Sequence, residues 1–226
     1  MQYVPEDAFV EFDSLWGRPD FGYVVSKRVF DIALASILLL VLSGVMMLIA
    51  LAIKVDSPGP TLYRQERVGY RGRSFCMLKF RTMRAERRRQ STRIDFPDRR
   101  RALKVANDPR ITRLGRILRR TSLDELPQLL NIVRGEMSFV GPRPELPDLV
   151  ALYRAQDYMR HAVVPGLTGW WQVHGRCLRG DNCPPADDLE CKLADDLYYL
   201  EHRSLGFDTR VLLRTLPMVV SGRGAA

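Results

Sequence analysis

A run of 22 residues without a charged side chain, IALASILLLVLSGVMMLIALAI at 32–53, limits what this chain can fold into. As an α-helix the run would be about 33 Å long, which matches the hydrocarbon thickness of a bilayer. A buried helix of a soluble protein usually keeps a polar edge, and the run starts too late and is too long for a signal peptide. The sequence therefore predicts that the N-terminal part of the chain is embedded in a membrane.

The charges around this run favour two different topologies. Lys27 and Arg28 precede the run and Lys54 follows it, so both flanks carry charges that prefer the cytoplasmic side. The tail 1–26 carries five carboxylates and one Arg, a composition that tolerates translocation and favours a spanning helix. Ser43-Gly44 in the middle permits a bend without compelling one, because Gly weakens a helix by only ~1 kcal/mol relative to Ala. A spanning helix and a hairpin that returns to the same face both remain open.

The positive charge of the chain is concentrated in one block. Residues 64–120 hold 20 Lys and Arg against five Asp and Glu, within a chain of net charge +9. Such a block needs an anionic partner, which could be nucleic acid, an anionic membrane surface or a phosphorylated substrate. One hypothesis is therefore a non-catalytic, membrane-tethered protein that binds nucleic acid or anionic lipid. The other is an enzyme that acts on phosphates.

After the apolar run the pattern changes. The segment DSPGP at 56–60 ends any helix, and the β-branched and aromatic residues on both sides of Gly69–Gly72 predict a β-hairpin with Lys79 and Arg81 at the end of its second strand. The segment 111–120 predicts an amphipathic helix that either lies among lipid headgroups or packs on the core. Its apolar face comprises Ile111, Leu114, Ile117 and Leu118.

Two adjacent carboxylates, Asp124 and Glu125, stand in TSLDELPQLLNIVRGEMSFVGPRPE at 121–145. Pro127 fits only the first turn of a helix, so the carboxylates are expected at the positive end of a helix, near the side chain of Arg119. An ionised Asp124 could bind a divalent cation or attack phosphorus. A capping box between Ser122 and Glu125 is the competing interpretation, and it leaves Asp124 without a role.

The same stretch ends in GPRPE, which places Arg143 between two prolines. The prolines fix the backbone around a guanidinium that can grip a phosphate at two points. The chain has neither a Walker A loop nor a GxGxxG motif, so kinase and dinucleotide-binding functions lack their phosphate-binding motifs. Carboxylates, a rigid arginine and a basic hairpin in one membrane-anchored chain indicate chemistry on a phosphate at the bilayer surface.

The four cysteines give a weaker signal. The gaps between Cys177, Cys183 and Cys191, with His174 nearby, fit no common zinc-ligand spacing. The absence of a CxxC spacing favours reduced thiols in a compartment that faces the cytosol.

Six segments taken together resemble a known family. They are KRVFDIALA, DSPGPTLYRQERVG, MLKFRTM, NDPRITRLGRILRRTSLDELPQLLNIVRGEMSFVGPRPE, PGLTGWWQVHGR and DLYYLEHRSLGFDTRVLLRTL. From about residue 27 to the C-terminus the chain resembles the bacterial sugar transferases, which are monotopic phosphoglycosyl transferases. These are also called polyprenyl-phosphate hexose-1-phosphate transferases.

The resemblance implies a fold and a location. The fold is α+β and mainly helical, with a tail at 1–26, a re-entrant membrane helix at 27–54 and a catalytic domain at 55–226 that contains a small β-hairpin and interfacial amphipathic helices. The catalytic domain would lie on the cytoplasmic face of the bacterial inner membrane. The partners would be membrane lipid and no nucleic acid, and a homodimer is compatible with the resemblance. Ser43-Gly44 departs from the family's Ser-Pro in the membrane helix, and the Cys-bearing stretch 177–191 is unusual.

The resemblance also implies an activity. The enzyme would transfer a sugar 1-phosphate from a UDP-sugar to polyprenyl (undecaprenyl) phosphate and release UMP through a covalent phosphosugar intermediate on an Asp. This is the first membrane step of exopolysaccharide, capsule, O-antigen or glycoconjugate assembly. UDP-glucose, UDP-galactose and N-acetylated sugars all remain open as donors.

Seven residues match the functional positions of the family. Its catalytic dyad falls on Asp124 and Glu125, and its Mg²⁺ is bound by Asp124. Its substrate-binding positions fall on Lys79, Arg81, Arg119, Arg143 and Asp196, although Asp195 is an adjacent alternative to the last of these.

Overall fold

The computed structural model describes residues 20–84, 108–178 and 189–221, with only the backbone of residues 175–178, 189–190 and 220–221. Within these ranges the chain is mainly helical with two small two-stranded sheets, which confirms the predicted α+β class. The helices are α1 (Phe21–Asp56), α2 (Arg113–Arg120), α3 (Gln128–Arg134), α4 (Pro147–Val150), α5 (Trp170–Leu178), α6 (Leu189–His202) and α7 (Leu205–Ser221). The strands are β1 (Leu62–Val68), β2 (Ser74–Phe80), β3 (Ser138–Val140) and β4 (Gly166–Thr168).

The apolar run lies in α1, a continuous helix of 36 residues that would extend over about 54 Å. The helix starts at Phe21, inside the predicted tail, because Asp20 caps it by accepting a hydrogen bond from the amide of Gly22 at 3.2 Å. At the predicted break the Ser43 hydroxyl donates to the Leu40 carbonyl at 2.7 Å and the helix continues. By length and composition α1 can cross a membrane. A return of the helix to the same face stays a prediction.

The N-terminal third of α1 is fixed to the rest of the fold by polar side chains. Lys27 forms an ion pair of 2.7 Å with Asp208 of α7. The Arg28 guanidinium donates to the carbonyls of Ile132 and Val133 at 2.6 and 2.9 Å, which satisfies two of the free carbonyls at the end of α3. Lys27 and Arg28, predicted only as topology signals, therefore also join α1 to the domain.

The C-terminal third of α1 packs on a separate apolar cluster. Ile49 and Ile53 are buried there against Phe80 at the end of β2 and Leu118 of α2. Between the two contact regions α1 presents an exposed apolar surface. Its large side chains there include Leu40, Val41, Val45, Met47 and Leu48. An exposed apolar surface of this kind is expected of a helix surrounded by lipid.

The predicted hairpin is confirmed. Strands β1 and β2 pair antiparallel from Leu62 opposite Phe80 to Val68 opposite Ser74, around a turn at 69–73. Asn131 of α3 then joins the helix to the edge of β2, because its side chain accepts from the Leu78 amide at 3.0 Å and donates to the Cys76 carbonyl at 2.8 Å. This junction places the segment before α3 beside the end of β2.

The segment 111–120 forms a helix over its later residues, as α2, but only part of its predicted apolar face is buried. Leu118 is 2% exposed, whereas Ile117 is 59% exposed. The helix lies very close to the chain that follows β2, since a Cβ at Gly115 would be 2.2 Å from the Thr82 carbonyl oxygen. Only glycine permits this approach, which brings the end of α2 close to the hairpin.

Candidate active site

The dyad Asp124 and Glu125 lies in a single 3-10 turn, Leu123–Glu125, directly before α3. The carboxylates lie at the N-terminal end of α3 as predicted, but Pro127 is the N-cap residue of this helix and not part of its first turn, where it was expected. The capping-box interpretation is wrong. Ser122 has a left-handed backbone (φ 56°) and makes no capping hydrogen bond, and the Glu125 side chain is bound elsewhere.

Glu125 joins three segments of the fold. One of its carboxylate oxygens accepts from Lys79 Nζ of β2 at 2.7 Å and from Arg143 Nη2 at 2.9 Å. Burial alone would raise the pKa of Glu125, but the charges and hydrogen bonds of Arg143 and Lys79 outweigh it and hold this pKa well below its usual range. Glu125 is therefore an ionised anchor that orients two cations.

Asp124 is in the opposite situation. It is 9% exposed, and within the described residues its carboxylate accepts no hydrogen bond and forms no ion pair. Burial raises the pKa of Asp124 from 3.8 to about 6, against the attraction of Lys79, Arg119 and Arg143. A buried carboxylate without a direct partner, yet mostly ionised at neutral pH, can bind a cation or act as a nucleophile.

Cationic side chains surround the dyad. Lys79, Arg119 and Arg143 each lower the pKa of Asp124 by their charge, and Arg119 is oriented by a 2.9 Å hydrogen bond from its Nε to the Thr82 hydroxyl. Sequence reasoning missed a further arginine, Arg67 of β1. Its pKa falls to about 10 through burial and through the charge of Arg143. Within the described residues these four cations exceed the two carboxylates, so the site favours anions such as phosphates.

The loop GPRPE at 141–145 is held through its backbone. The carbonyl oxygens of residues 142–145 each accept a hydrogen bond of 2.8 to 3.1 Å. The donors, in the order of the acceptors, are Gly166 N, Arg160 Nη2, Arg67 Nη1 and Val68 N. Proline has no amide hydrogen, so the carbonyls are the groups by which this loop can be fixed. The side chain of Arg143 is thereby directed to Glu125.

Arg81, a predicted substrate ligand, is placed differently. It is 7% exposed, and its Nη2 donates to the carbonyls of Ser57 and Ile53 at 2.5 and 3.3 Å. These bonds hold the last turn of α1, and the structure shows no contact between Arg81 and the dyad. Its role in substrate binding stays a prediction.

Asp196 is also placed away from the dyad. It is 1% exposed and pairs with Arg160 at 2.6 Å. Burial raises the pKa of Asp196 despite the charge of Arg160. Oδ1 of its neighbour Asp195 lies 3.1 Å from Nδ1 of His174, within hydrogen-bond distance. Sequence reasoning missed Arg160, because a single arginine in a short 3-10 helix, Ala155–Ala162, carries no local signal.

The surroundings of Asp124 fit Mg²⁺. This ion is usually bound by one or two carboxylates together with substrate phosphates and water, and Asp124 offers a carboxylate to which no described residue is hydrogen-bonded. No cluster of three or more His, Cys, Asp or Glu occurs within the described residues. The cysteine pattern cannot be followed further, since Cys183 and the side chain of Cys177 lie outside the described part.

Comparison with known proteins identifies a family and several relatives. The profile of the bacterial sugar transferase family matches residues 22–222. An undecaprenyl-phosphate glucose phosphotransferase of Komagataeibacter xylinus is 41% identical over 209 residues, which cover 89% of this chain and 37% of that protein. The exopolysaccharide production protein ExoY of Rhizobium meliloti is 41% identical over 218 residues, which cover 92% of this chain and 90% of that protein.

A third relative differs in its sugar. A UDP-N-acetylgalactosamine-undecaprenyl-phosphate N-acetylgalactosaminephosphotransferase of Aeromonas hydrophila is 35% identical over 219 residues, which cover 95% of this chain and 48% of that protein. The chain thus spans less than half of the first and third relatives and nearly all of ExoY. The family match covers most of the chain and includes the dyad, the basic hairpin and the Arg143 loop, so this protein belongs to the bacterial sugar transferases.

Proposed function

We propose that this protein transfers a sugar 1-phosphate from a UDP-sugar to undecaprenyl phosphate and releases UMP. The observation that carries the proposal is the state of Asp124, a buried carboxylate that lies among cations and has no direct partner in the described part of the chain. A binding protein for nucleic acid or anionic lipid has no use for such a carboxylate, since it repels phosphates unless a metal intervenes. The names of the relatives support the same acceptor lipid.

The first step is a displacement at the phosphorus that carries the sugar. An oxygen of Asp124 forms a bond to this phosphorus, and the bond from the phosphorus to the UMP oxygen breaks. UMP leaves with the electron pair, and the sugar phosphate remains on Asp124 as an acyl phosphate. Lys79, Arg119 and Arg143 surround Asp124 and would offset the charge that accumulates on the phosphate oxygens.

The second step transfers the sugar phosphate from Asp124 to the lipid. A phosphate oxygen of undecaprenyl phosphate attacks the same phosphorus, and the bond to Asp124 breaks, so that a lipid-linked diphosphate sugar forms and the carboxylate is restored. Two displacements avoid a ternary complex in which two phosphate substrates must approach each other directly. Glu125 does not react, because its oxygen already holds Lys79 and Arg143 in place.

Mg²⁺ would bind at Asp124 together with the donor phosphates, where it would neutralise phosphate charge as a Lewis acid. Lys79 and Arg143 would orient the same phosphates from the side of Glu125. The proposal does not specify the sugar, because one relative is named for glucose and another for N-acetylgalactosamine.

We place the catalytic domain on the cytoplasmic face of the inner membrane, with α1 entering and leaving the bilayer on that face. Support comes from the two ends of α1, since Arg28 and Ile53 both contact the same folded domain. A helix that crosses the bilayer would carry one of these ends to the opposite side.

The decisive experiment uses purified full-length protein with Mg²⁺ and no lipid acceptor. A panel of UDP-sugars is screened for release of about one equivalent of UMP per enzyme, as two-step covalent catalysis requires. Rapid quenching and intact-protein mass spectrometry then look for an added sugar phosphate. The Asp124→Asn variant should form no adduct, whereas Glu125→Gln should slow turnover without moving the adduct. UMP release that requires the lipid acceptor, with no adduct, would instead indicate direct transfer and reduce Asp124 to a metal ligand.

A further inference from the structure

The side chain of Arg160 lies behind the GPRPE loop and is 2% exposed. Its Nη2 is 2.8 Å from the carbonyl oxygen of Arg143 and 2.6 Å from Oδ2 of Asp196. Its Nη1 donates to the hydroxyl of Tyr153 at 2.6 Å and to Oε1 of Glu145 at 3.3 Å. A single guanidinium therefore connects the loop, helix α6 and the segment after α4.

Buried charges of opposite sign face each other in this region. Arg160 and Lys192 face the carboxylates of Glu145 and Asp196, and Lys192 contacts Glu145 directly. Burial lowers the pKa of Arg160, but Asp196 and Tyr153 outweigh it, so the guanidinium stays charged. Removing one member of such a buried set leaves an unpaired charge, which is why the network is expected to hold one geometry.

The backbone of the loop depends on this guanidinium. Arg143 stands between two prolines that donate no hydrogen bonds, and within the described residues Arg160 is the group that holds the carbonyl of Arg143. The other end of Arg143 reaches Glu125 at 2.9 Å. Arg160 thus fixes the main chain of the residue whose side chain enters the active site.

We infer that Arg160, held by Asp196, is a positioning residue that keeps the guanidinium of Arg143 on Glu125 beside the nucleophile. Asp196 then acts on the reaction through Arg160 and without touching the substrate. The inference rests on the proposed function, because the effect on turnover depends on the role of Arg143 in binding the donor phosphate. It does not depend on which sugar is transferred.

A double-mutant cycle tests this route of action. Arg160→Lys keeps the charge but cannot bridge Arg143 and Asp196 as the fork does, so kcat/KM for UMP release should fall about tenfold or more. In an Arg143→Ala background the same change should lower kcat/KM by less than about twofold, because the effect passes through Arg143. An equal loss in both backgrounds would overturn the inference. If Arg160→Lys does not fold, Asp196→Asn replaces it in the cycle with the same expected results, because asparagine is nearly identical in shape to aspartate.

Tyr153→Phe is the matched control, since it removes a hydrogen bond to Nη1 and leaves both Nη2 contacts in place. Its kcat/KM should stay within about twofold of wild type even if its Tm falls. Hydrogen exchange of the peptide at 138–149 provides a readout without substrate: exchange should quicken in Arg160→Lys and not in Tyr153→Phe. Unchanged exchange in Arg160→Lys would refute the positioning role. Absence of UMP release from wild-type protein would refute the proposed function instead.

Discussion

Two adjacent isosteric substitutions, Asp124→Asn and Glu125→Gln, should change stability in opposite directions. The pKa of Asp124 rises from 3.8 to about 6 in the folded protein, mainly through burial. At ~1.4 kcal/mol per pH unit, the ionised Asp124 costs the folded state about 3 kcal/mol at neutral pH. An amide avoids this cost but needs hydrogen bonds of its own, which offsets about 1 kcal/mol. We therefore expect Asp124→Asn to stabilise the protein by about 2 kcal/mol.

Glu125→Gln removes the charge that binds Lys79 and Arg143 at 2.7 and 2.9 Å. Two partly buried cations would then lack their partner, so we expect a loss of about 2 kcal/mol. For a domain of this size, ~2 kcal/mol corresponds to a change in Tm of about 4–8 °C, upward for Asp124→Asn and downward for Glu125→Gln. Asp124→Asn should thus combine higher stability with complete loss of the phosphosugar adduct.

The assay is thermal unfolding of detergent-solubilised protein at one scan rate, in EDTA so that no divalent cation binds Asp124. The folded protein binds the Asp124 proton more tightly than the unfolded chain, so the cost is complete above pH ~6 and shrinks as the pH falls towards 3.8. The ionisation cost should therefore fall to about half between pH 7.5 and pH 5, and the advantage of Asp124→Asn over wild type should fall to about a third. A lower Tm for Asp124→Asn at pH 7.5 would refute the assignment of Asp124 as an unpaired buried carboxylate.

Three further predictions address the phosphate, the metal and the topology. Arg143→Lys should lower UMP release by about tenfold or more at nearly unchanged Tm, because Lys keeps the charge and loses the fork; unchanged turnover would remove Arg143 from the site. Saturating Mg²⁺ should raise the Tm of wild type and leave that of Asp124→Asn unchanged, whereas equal shifts would put the metal elsewhere. A cysteine introduced by Val10→Cys, with the native cysteines replaced by Ser, should resist an impermeant maleimide in intact cells and react after lysis. Labelling of intact cells would contradict the re-entrant topology.

The elements that sequence predicted are those specified by local patterns. The hairpin follows from β-branched and aromatic residues on both sides of Gly69–Gly72. The position of the dyad before α3 follows from Pro127. The start of α1 at Phe21 was missed, because the apolar run begins only at Ile32, whereas residues 21–31 form the part of the helix whose polar side chains bind the domain.

The partners within the site could not be predicted in the same way. Ser122 and Glu125 have the spacing of a capping box. This local spacing does not reveal that Lys79 and Arg143, which are distant in sequence, bind the Glu125 carboxylate instead. Arg67 precedes the GPRPE loop in sequence and Arg160 follows it, and both donate to carbonyl oxygens of this loop. Contacts of this kind arise from the tertiary fold, so a single sequence identifies the candidate carboxylates and several of the nearby cations but not which side chains bind each other.

Helix α1 is connected to the candidate active site at both ends, and this connection bears on how the proposed lipid acceptor would be reached. Near its start, Arg28 satisfies the last carbonyls of α3, the helix that directly follows the dyad. At its end, Arg81 bonds the last turn of α1 and lies two residues after Lys79, which binds Glu125. The dyad and its cation are thus each attached to α1 through short, polar and largely buried contacts. A lipid phosphate has a fixed depth at the bilayer surface, so an active site attached to the membrane helix at two points keeps Asp124 at a fixed height above it.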